Sequence, residues 1–284
     1  MNKALFIFTG EFGYEIISFQ SILRSHREKY ETMYVSSYKE SEIFYRDFVD
    51  KFIEIPEYIL QKFDRSDSYN TLPEHEINNF IEPFLKDNFE VYHRRKVYEQ
   101  YPLDIKLDLT GDFGKYIPLN NKKNKGEKIF TFFPRLHNIH EHRNYNTDKF
   151  KIFIDLIKNE FVDYKINIVF FENKYYGNCK DVFYIDGTNA IVNPSIQEQL
   201  DLQSISEFLI YNHSGSVFLN VMNSEKTPIF IYGIESDKCI YPNENIFNKF
   251  GINFEYVYKT NNLSDMDPNY LFQKFKKFYD TFRK

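Results

Sequence analysis

Apolar residues come in short bursts separated by longer stretches of mixed polarity, the pattern of strands alternating with helices. Ala4 to Phe8 is an apolar run, Thr9-Gly10-Glu11-Phe12-Gly13 interrupts it, and Tyr14 to Tyr30 sets Ile16, Ile17, Phe19, Ile22 and Leu23 at helical spacing. A short strand is predicted over Met33 to Val35, an amphipathic helix around Glu40 to Val49, and a strand over Phe52 to Ile55 that Pro56 stops. Residues 57–102 read as mostly helical without resolving into elements. Between Asp104 and Lys128 the chain turns polar and basic, centred on Asn120-Asn121-Lys122-Lys123-Asn124-Lys125-Gly126, which is the expected domain boundary.

The alternation then restarts. Strands are predicted over Lys128 to Phe133, ended by Pro134, and over Ile166 to Phe171, Val182 to Ile185 and Pro228 to Gly233. Helices are predicted over Thr147 to Phe161 and Val217 to Met222, with Leu202 to Tyr211 a helix running into a strand end. Leu271, Phe275, Phe278 and Phe282 stripe a final helix behind Asp267 as cap and Pro268 at its first position. Its Lys274, Lys276, Lys277, Arg283 and Lys284 would suit a membrane surface, but nothing else in the chain points to lipid, so docking on the protein is expected. The fold class is therefore α/β: two parallel sheets with helices on both faces, one domain over 1–120 and a second over 121–267, followed by a helix over 268–284.

Composition narrows the functional classes. The 284 residues carry a net charge of −5, with 42% hydrophobic and 27% charged positions, a soluble globular balance. The 31 Phe and 23 Tyr without any Trp imply a core built of rings, so a Phe-rich face is not by itself a binding site. A pI near 5.9 gives no overall attraction to nucleic acid or anionic lipid. Apolar runs are strand-sized and the N-terminal run meets Glu11 at once, so neither an integral membrane segment nor a secretory signal is expected. Cys179 and Cys239 stand alone as reduced thiols, in keeping with a cytoplasmic protein.

Three turns carry candidate chemistry. The first, Thr9 to Glu15, follows a strand and opens a helix at the carboxyl edge of a sheet, where open α/β sheets bind ligands. Glu11 in it could take a proton from an acceptor hydroxyl; alternatively, Glu11 and Glu15 only complement the helix dipole. The second turn, Pro134-Arg135 followed by His137, His140, His142 and Arg143, places two arginines eight positions apart that can fork onto a diphosphate, or is a solvated polar loop. Its histidines match no common metal spacing and no carboxylate pair joins them, so no metal is expected. In the third, Asn212-His213-Ser214-Gly215-Ser216 opens a helix whose free amides admit a phosphate, or merely caps it.

The second half resembles the donor-binding domain of GT-B glycosyltransferases, notably the ADP-heptose heptosyltransferase-like group. The likeness lies in Ser214-Gly215-Ser216 opening a helix that leads to a Pro-initiated strand, Pro228 to Gly233, and in the Pro134-Arg135 loop with its second arginine. Gly10-Glu11-Phe12-Gly13-Tyr14-Glu15 resembles that group's Gly-acidic turn after the first strand. The resemblance implies two facing Rossmann-like domains and transfer of a sugar from a nucleotide-sugar to the hydroxyl of a glycan or another acceptor, without a cofactor or a metal. It implies Glu11 as base, Arg135, His137, Arg143, His213, Ser214, Gly215 and Ser216 as donor-binding residues, and Gly10, Gly13 and Tyr14 on the acceptor side. Modified DNA is a less favoured acceptor for an acidic protein.

Two other patterns carry no function. Asp112-Phe113-Gly114 lacks the Gly-rich and catalytic loops of a kinase, and Asp265-Met266-Asp267 precedes Pro268 as a helix cap. The rival readings are a non-catalytic nucleotide- or carbohydrate-binding module and another nucleotide-sugar enzyme such as an epimerase, since fold does not fix activity.

Overall fold

The computed structural model describes residues 2–10, 12–60, 74–93, 116–120, 126–137, 140–172, 184–235, 243–258 and 261–283. The chain divides into two compact units, Met1–Leu119 and Asn120–Lys284.

The described part of the first unit holds a parallel sheet of β1 (Lys3–Ile7), β2 (Thr32–Ser37), β3 (Lys51–Glu54) and β4 (Phe89–His93), in the order β3-β2-β1-β4. Ala4, Leu5, Phe6 and Ile7 are all buried, as a central strand covered on both faces requires. Leu5 and Ile7 pack with Ile55, Ile59, Ile77 and Phe89 on one face. On the other, Phe6 stacks on Tyr92 at 4.9 Å and meets Tyr30 edge-on at 5.3 Å.

The helix expected over Tyr14 to Tyr30 is not uniform. A helical turn, Phe12–Tyr14, passes into a π-helical stretch, Glu15–Phe19, then a helix, Gln20–Ser25, and the chain tightens to a 3-10 turn at Arg27–Lys29. Where an amphipathic helix was expected around Glu40 to Val49, the chain forms a 3-10 helix, Lys39–Phe44. Arg24 donates to the Phe44 carbonyl at 2.9 Å and pairs with Asp47, so local polar bonds displace helix propensity there. In the poorly patterned 57–102 stretch the structure contains the short helix Glu57–Leu60, the helix Glu74–Lys86 and strand β4.

The described part of the second unit holds a six-stranded parallel sheet: β5 (Ile129–Phe133), β6 (Lys165–Phe170), β7 (Asn189–Val192), β8 (Phe208–Asn212), β9 (Ile229–Gly233) and β10 (Phe254–Tyr258), ordered β10-β9-β8-β5-β6-β7. Of the strand expected over Val182 to Ile185, Val182 and Phe183 lie outside the described residues; Tyr184 and Ile185 are outside any strand, Thr188 N–H closes a turn on the Ile185 carbonyl at 3.1 Å, and β7 follows. Gly187 takes a φ of 75° in that turn, a conformation that a side chain would strain.

Helices begin at polar caps, of which only Asp267 was expected from the sequence. Asn146 accepts from Lys149 N–H at 3.0 Å to start Thr147–Glu160, and Ser195 with Glu198 forms a reciprocal capping box on Ile196–Ile205. The Ser195 backbone N–H holds the Glu198 carboxyl below its ordinary value. Asp267 caps Pro268–Phe282 through Asn269 N–H at 2.8 Å. That last helix lies on the second unit's core. Phe275 is fully buried, with its ring centre 5.4 Å from both Phe130 and Phe230, and Phe130 also stacks on Tyr164 at 4.0 Å. Among the described residues no helix is long and apolar enough to cross a membrane.

Candidate functional site

Each sheet has one position where successive connections leave a central strand in opposite directions. In the first it lies between β1 and β4; in the second, between β5 and β8. At such a switch point the loops diverge and leave a crevice at the carboxyl ends of the strands. All three sequence-predicted turns stand at these two places.

At the first, Thr9 and Gly10 are buried directly after β1, and the Tyr38 hydroxyl donates to the Thr9 carbonyl at 3.1 Å. Glu11, the expected base, lies outside the described residues. Gly13 is buried in the first helical turn, and Tyr14 is half-buried with its carbonyl accepting from the Ser18 hydroxyl at 2.8 Å. Glu15 has a different place from the one expected of a helix-dipole carboxylate. It is fully buried and accepts from Ser41 at 2.7 Å, from Tyr45 at 2.8 Å and from Ser37. A buried carboxylate is tolerated only when its lone pairs are satisfied, and here hydroxyls from β2 and the segment after it do this. Glu15 therefore ties the π-helical start of the helix to β2. The His93 ring reaches Thr9 from the end of β4, with Nε2 3.4 Å from Oγ1.

At the second switch point Arg135 is only 8% exposed and its Nη1 donates to Asn144 Oδ1 at 2.6 Å and to the His140 carbonyl at 3.2 Å. Asn144 also accepts from His137 N–H at 3.1 Å and donates to the His137 carbonyl at 2.8 Å. One side chain thus closes the loop from Arg135 to Asn144, which turns at His140 (φ 56°) into the 3-10 segment Glu141–Arg143. The Arg143 carbonyl accepts from Asn212 Nδ2 at 3.2 Å, which joins this loop to the end of β8. Arg135, His137, Arg143 and the 212–216 turn are therefore neighbours, brought together by β5 and β8 pairing in register.

Within that turn Ser214 is extended and places no side-chain bond on the 3-10 helix Gly215–Met222; its hydroxyl pairs with Ser216 Oγ at 2.9 Å. No side-chain cap consumes the first amides; Val217 N–H turns back to the Ser214 carbonyl at 3.3 Å, which leaves the amides ahead of it, with the helix dipole, to face an anion. His213, in contrast, is fully buried: its N–H donates to the Tyr232 carbonyl at 2.9 Å and its ring lies 5.9 Å from Tyr258. Asn212 is also buried, and its Oδ1 has no hydrogen-bond partner among the described residues. The His140 and His142 rings stand 5.9 Å apart, and no group of three His, Cys, Asp or Glu able to hold a metal occurs among the described residues.

Solved structures share this fold over nearly the whole chain. E. coli ADP-heptose lipopolysaccharide heptosyltransferase II superposes with a TM-score of 0.63 at 10% identity, covering 99% of this chain and 100% of that one. E. coli heptosyltransferase WaaC with ADP gives 0.57 at 11% identity, with 98% of each chain covered. The fold is GT-B. An epimerase-described protein shares it: a Listeria monocytogenes structure described as a UDP-N-acetylglucosamine 2-epimerase gives 0.50 at 12% identity over 99% of this chain and 89% of that one. No protein-family model and no curated protein matches the sequence.

Sequence reasoning missed Asn144, His93 and the inward placement of Glu15. Asn144 sits in a polar stretch where no periodicity singles it out. His93 belongs to a strand whose pattern was hidden among helical segments.

Proposed function

We propose that this GT-B chain is a glycosyltransferase that moves a sugar from a nucleotide-sugar to an acceptor hydroxyl. The observation that carries the reading is the second switch point, where the Arg135–Asn144 loop adjoins the start of Gly215–Met222, whose first amides no side chain caps. In this reading Arg143, His137 and the amides around Ser214, Gly215 and Ser216 hold the donor's diphosphate, and Arg135 shapes the loop that presents them. His213, being buried, supports the turn from beneath. The first unit supplies the acceptor side through Gly10, Gly13 and Tyr14, with Glu11 as base.

The acceptor oxygen attacks the anomeric carbon and its proton passes to the Glu11 carboxylate. The bond from that carbon to the diphosphate oxygen breaks, and the electron pair leaves with the nucleoside diphosphate. Arginine and backbone amides meet that growing charge in place of a metal ion, and donors fixed before the reaction do so most effectively. The fold shared with the epimerase-described protein favours one other reading, in which the same donor site serves epimerisation.

The test is a thermal-shift screen against ADP, UDP, GDP and CMP and their sugars, since a ligand bound only to the folded state raises its melting temperature. Nucleotide release is then measured with and without hydroxyl acceptors, and products are analysed. Glu11→Gln is expected to abolish release while keeping the shift. Binding without release supports a non-catalytic module, and an epimerised nucleotide-sugar supports the second reading.

A further inference from the structure

The row Phe89, Val91, His93 on β4 faces the side of the sheet that carries Leu5 and Ile7, against the Glu74–Lys86 helix. Its first two members pack in that apolar cluster, and the third is an imidazole paired in register with Ile7. Packing alone would place an aliphatic residue there, since a polar ring near apolar walls loses solvation that only hydrogen bonds restore. His93 makes such a bond: its Nε2 is 3.4 Å from Thr9 Oγ1. Thr9 is itself buried and fixed through its carbonyl by Tyr38, so the imidazole is oriented by a rigid neighbour.

The place of this pair matters more than the bond. It stands at the switch point between β1 and β4, two positions before Glu11 in the chain, at the edge where parallel sheets bind ligands. The ring also borders an open groove of about 580 Å³, walled by Ile77, Ile81 and Tyr92. An imidazole can donate through one nitrogen and accept through the other, so with Thr9 as its orienting partner it suits a hydroxyl in either sense.

The geometry points to His93 as an acceptor-binding residue: it hydrogen-bonds the hydroxyl-bearing acceptor at the first switch point, with Thr9 holding the ring. This rests on the transferase reading and deepens it, by assigning a side chain in the described residues to the acceptor. Apolar wall and polar end together fit the C–H face of a sugar ring that presents a hydroxyl.

The experiment compares wild type with His93→Ala, His93→Gln and Thr9→Val. Nucleotide release is measured from the nucleotide-sugar that gives the largest thermal shift, with methyl glucoside, galactoside and mannoside, or water, as acceptor. His93→Ala is expected to lose at least tenfold in kcat/KM for the acceptor while its nucleoside diphosphate shift stays that of wild type. Free imidazole or His93→Gln recovers part of the loss, and Thr9→Val reproduces a smaller part. A cavity or folding defect would not respond to imidazole. If a nucleoside diphosphate binds but His93→Ala turns over like wild type, or loses donor affinity in step with acceptor use, the assignment of His93 is overturned while the transferase reading stands. If no nucleoside diphosphate shifts the chain, that reading falls and the assignment with it.

Discussion

Asn144→Ala tests the donor loop most directly. Asn144 makes three hydrogen bonds inside the loop, from Arg135 Nη1 at 2.6 Å, from His137 N–H at 3.1 Å and to the His137 carbonyl at 2.8 Å. At about 1 kcal/mol net for each, the closed loop loses about 3 kcal/mol. Because every 1.4 kcal/mol is tenfold, the ratio of closed to open loop falls by about 100-fold. A ligand that needs the closed form binds more weakly by the fraction of molecules still closed. Titration calorimetry with the nucleoside diphosphate found in the screen is therefore expected to give a Kd raised between about tenfold and about 100-fold. Asn144→Asp keeps an oxygen for Arg135 and for His137 N–H, adds an ion pair with Arg135, and is expected to hold affinity within about threefold. Equal affinity in wild type and Asn144→Ala refutes the claim that this loop makes the donor site. Equal damage by both variants refutes the claim that the accepting oxygen closes it.

Three further outcomes follow from the packing. Glu15→Ala leaves three hydroxyls facing a void, and urea unfolding is expected to show a loss of about 3–5 kcal/mol, against about 1 kcal/mol for Tyr45→Phe; equal effects would mean the carboxylate is not the hub. Phe275→Ala removes a ring lying among Phe130, Phe208 and Phe230, and is expected to cost about 3–5 kcal/mol by the same measurement; a cost under about 1 kcal/mol would mean the last helix is not part of the core. Burial lowers the Lys226 ammonium to about 8, even though it donates to the carbonyls of Val221 at 2.8 Å and Asn223 at 2.7 Å. From about pH 8 to its ordinary 10.5 the unfolded chain holds a proton that the folded chain lacks, so stability rises with pH across that window and is flat below it. Lys226→Met is expected to remove that rise, read as melting temperature against pH; an unchanged slope would assign it to other groups.

Strands flanked by clear breakers were legible along the chain. β5 ends at Pro134 and β9 runs to Gly233, because a parallel strand buried on both faces reads as an apolar run that turn residues must close. The Pro268–Phe282 helix was legible because cap, proline and stripe agree. β7 was not. Its Asn189-Ala190-Ile191-Val192 offers two weak apolar positions at a sheet edge, while the stronger Val182 to Ile185 pattern sits just ahead of it. The π-helical stretch was hidden for a related reason, since Ile16, Ile17 and Phe19 fit an ordinary helix and only the long-range bonds of Glu15 show the difference. At the second switch point the chain displayed its arginines and serines, but not that Arg135 is spent on Asn144 or that His213 faces inward. The first depends on an asparagine nine residues on in the same loop, where no periodicity marks it, and the second on what β9 and β10 place beside the turn.

The position of Phe275 against Phe130 has a bearing on synthesis. Phe130 sits on the opening strand of its unit, and its partner rings on the closing helix are made some 150 residues later. In a chain emerging in order Phe161, Tyr164 and Phe208 reach Phe130 first and Phe275 closes the cluster last, and contacts so distant are slow to form. Until that helix docks, part of the aromatic face lacks its last cover, and Phe275→Ala should slow the final step of refolding more than substitutions at the Glu15 hub do.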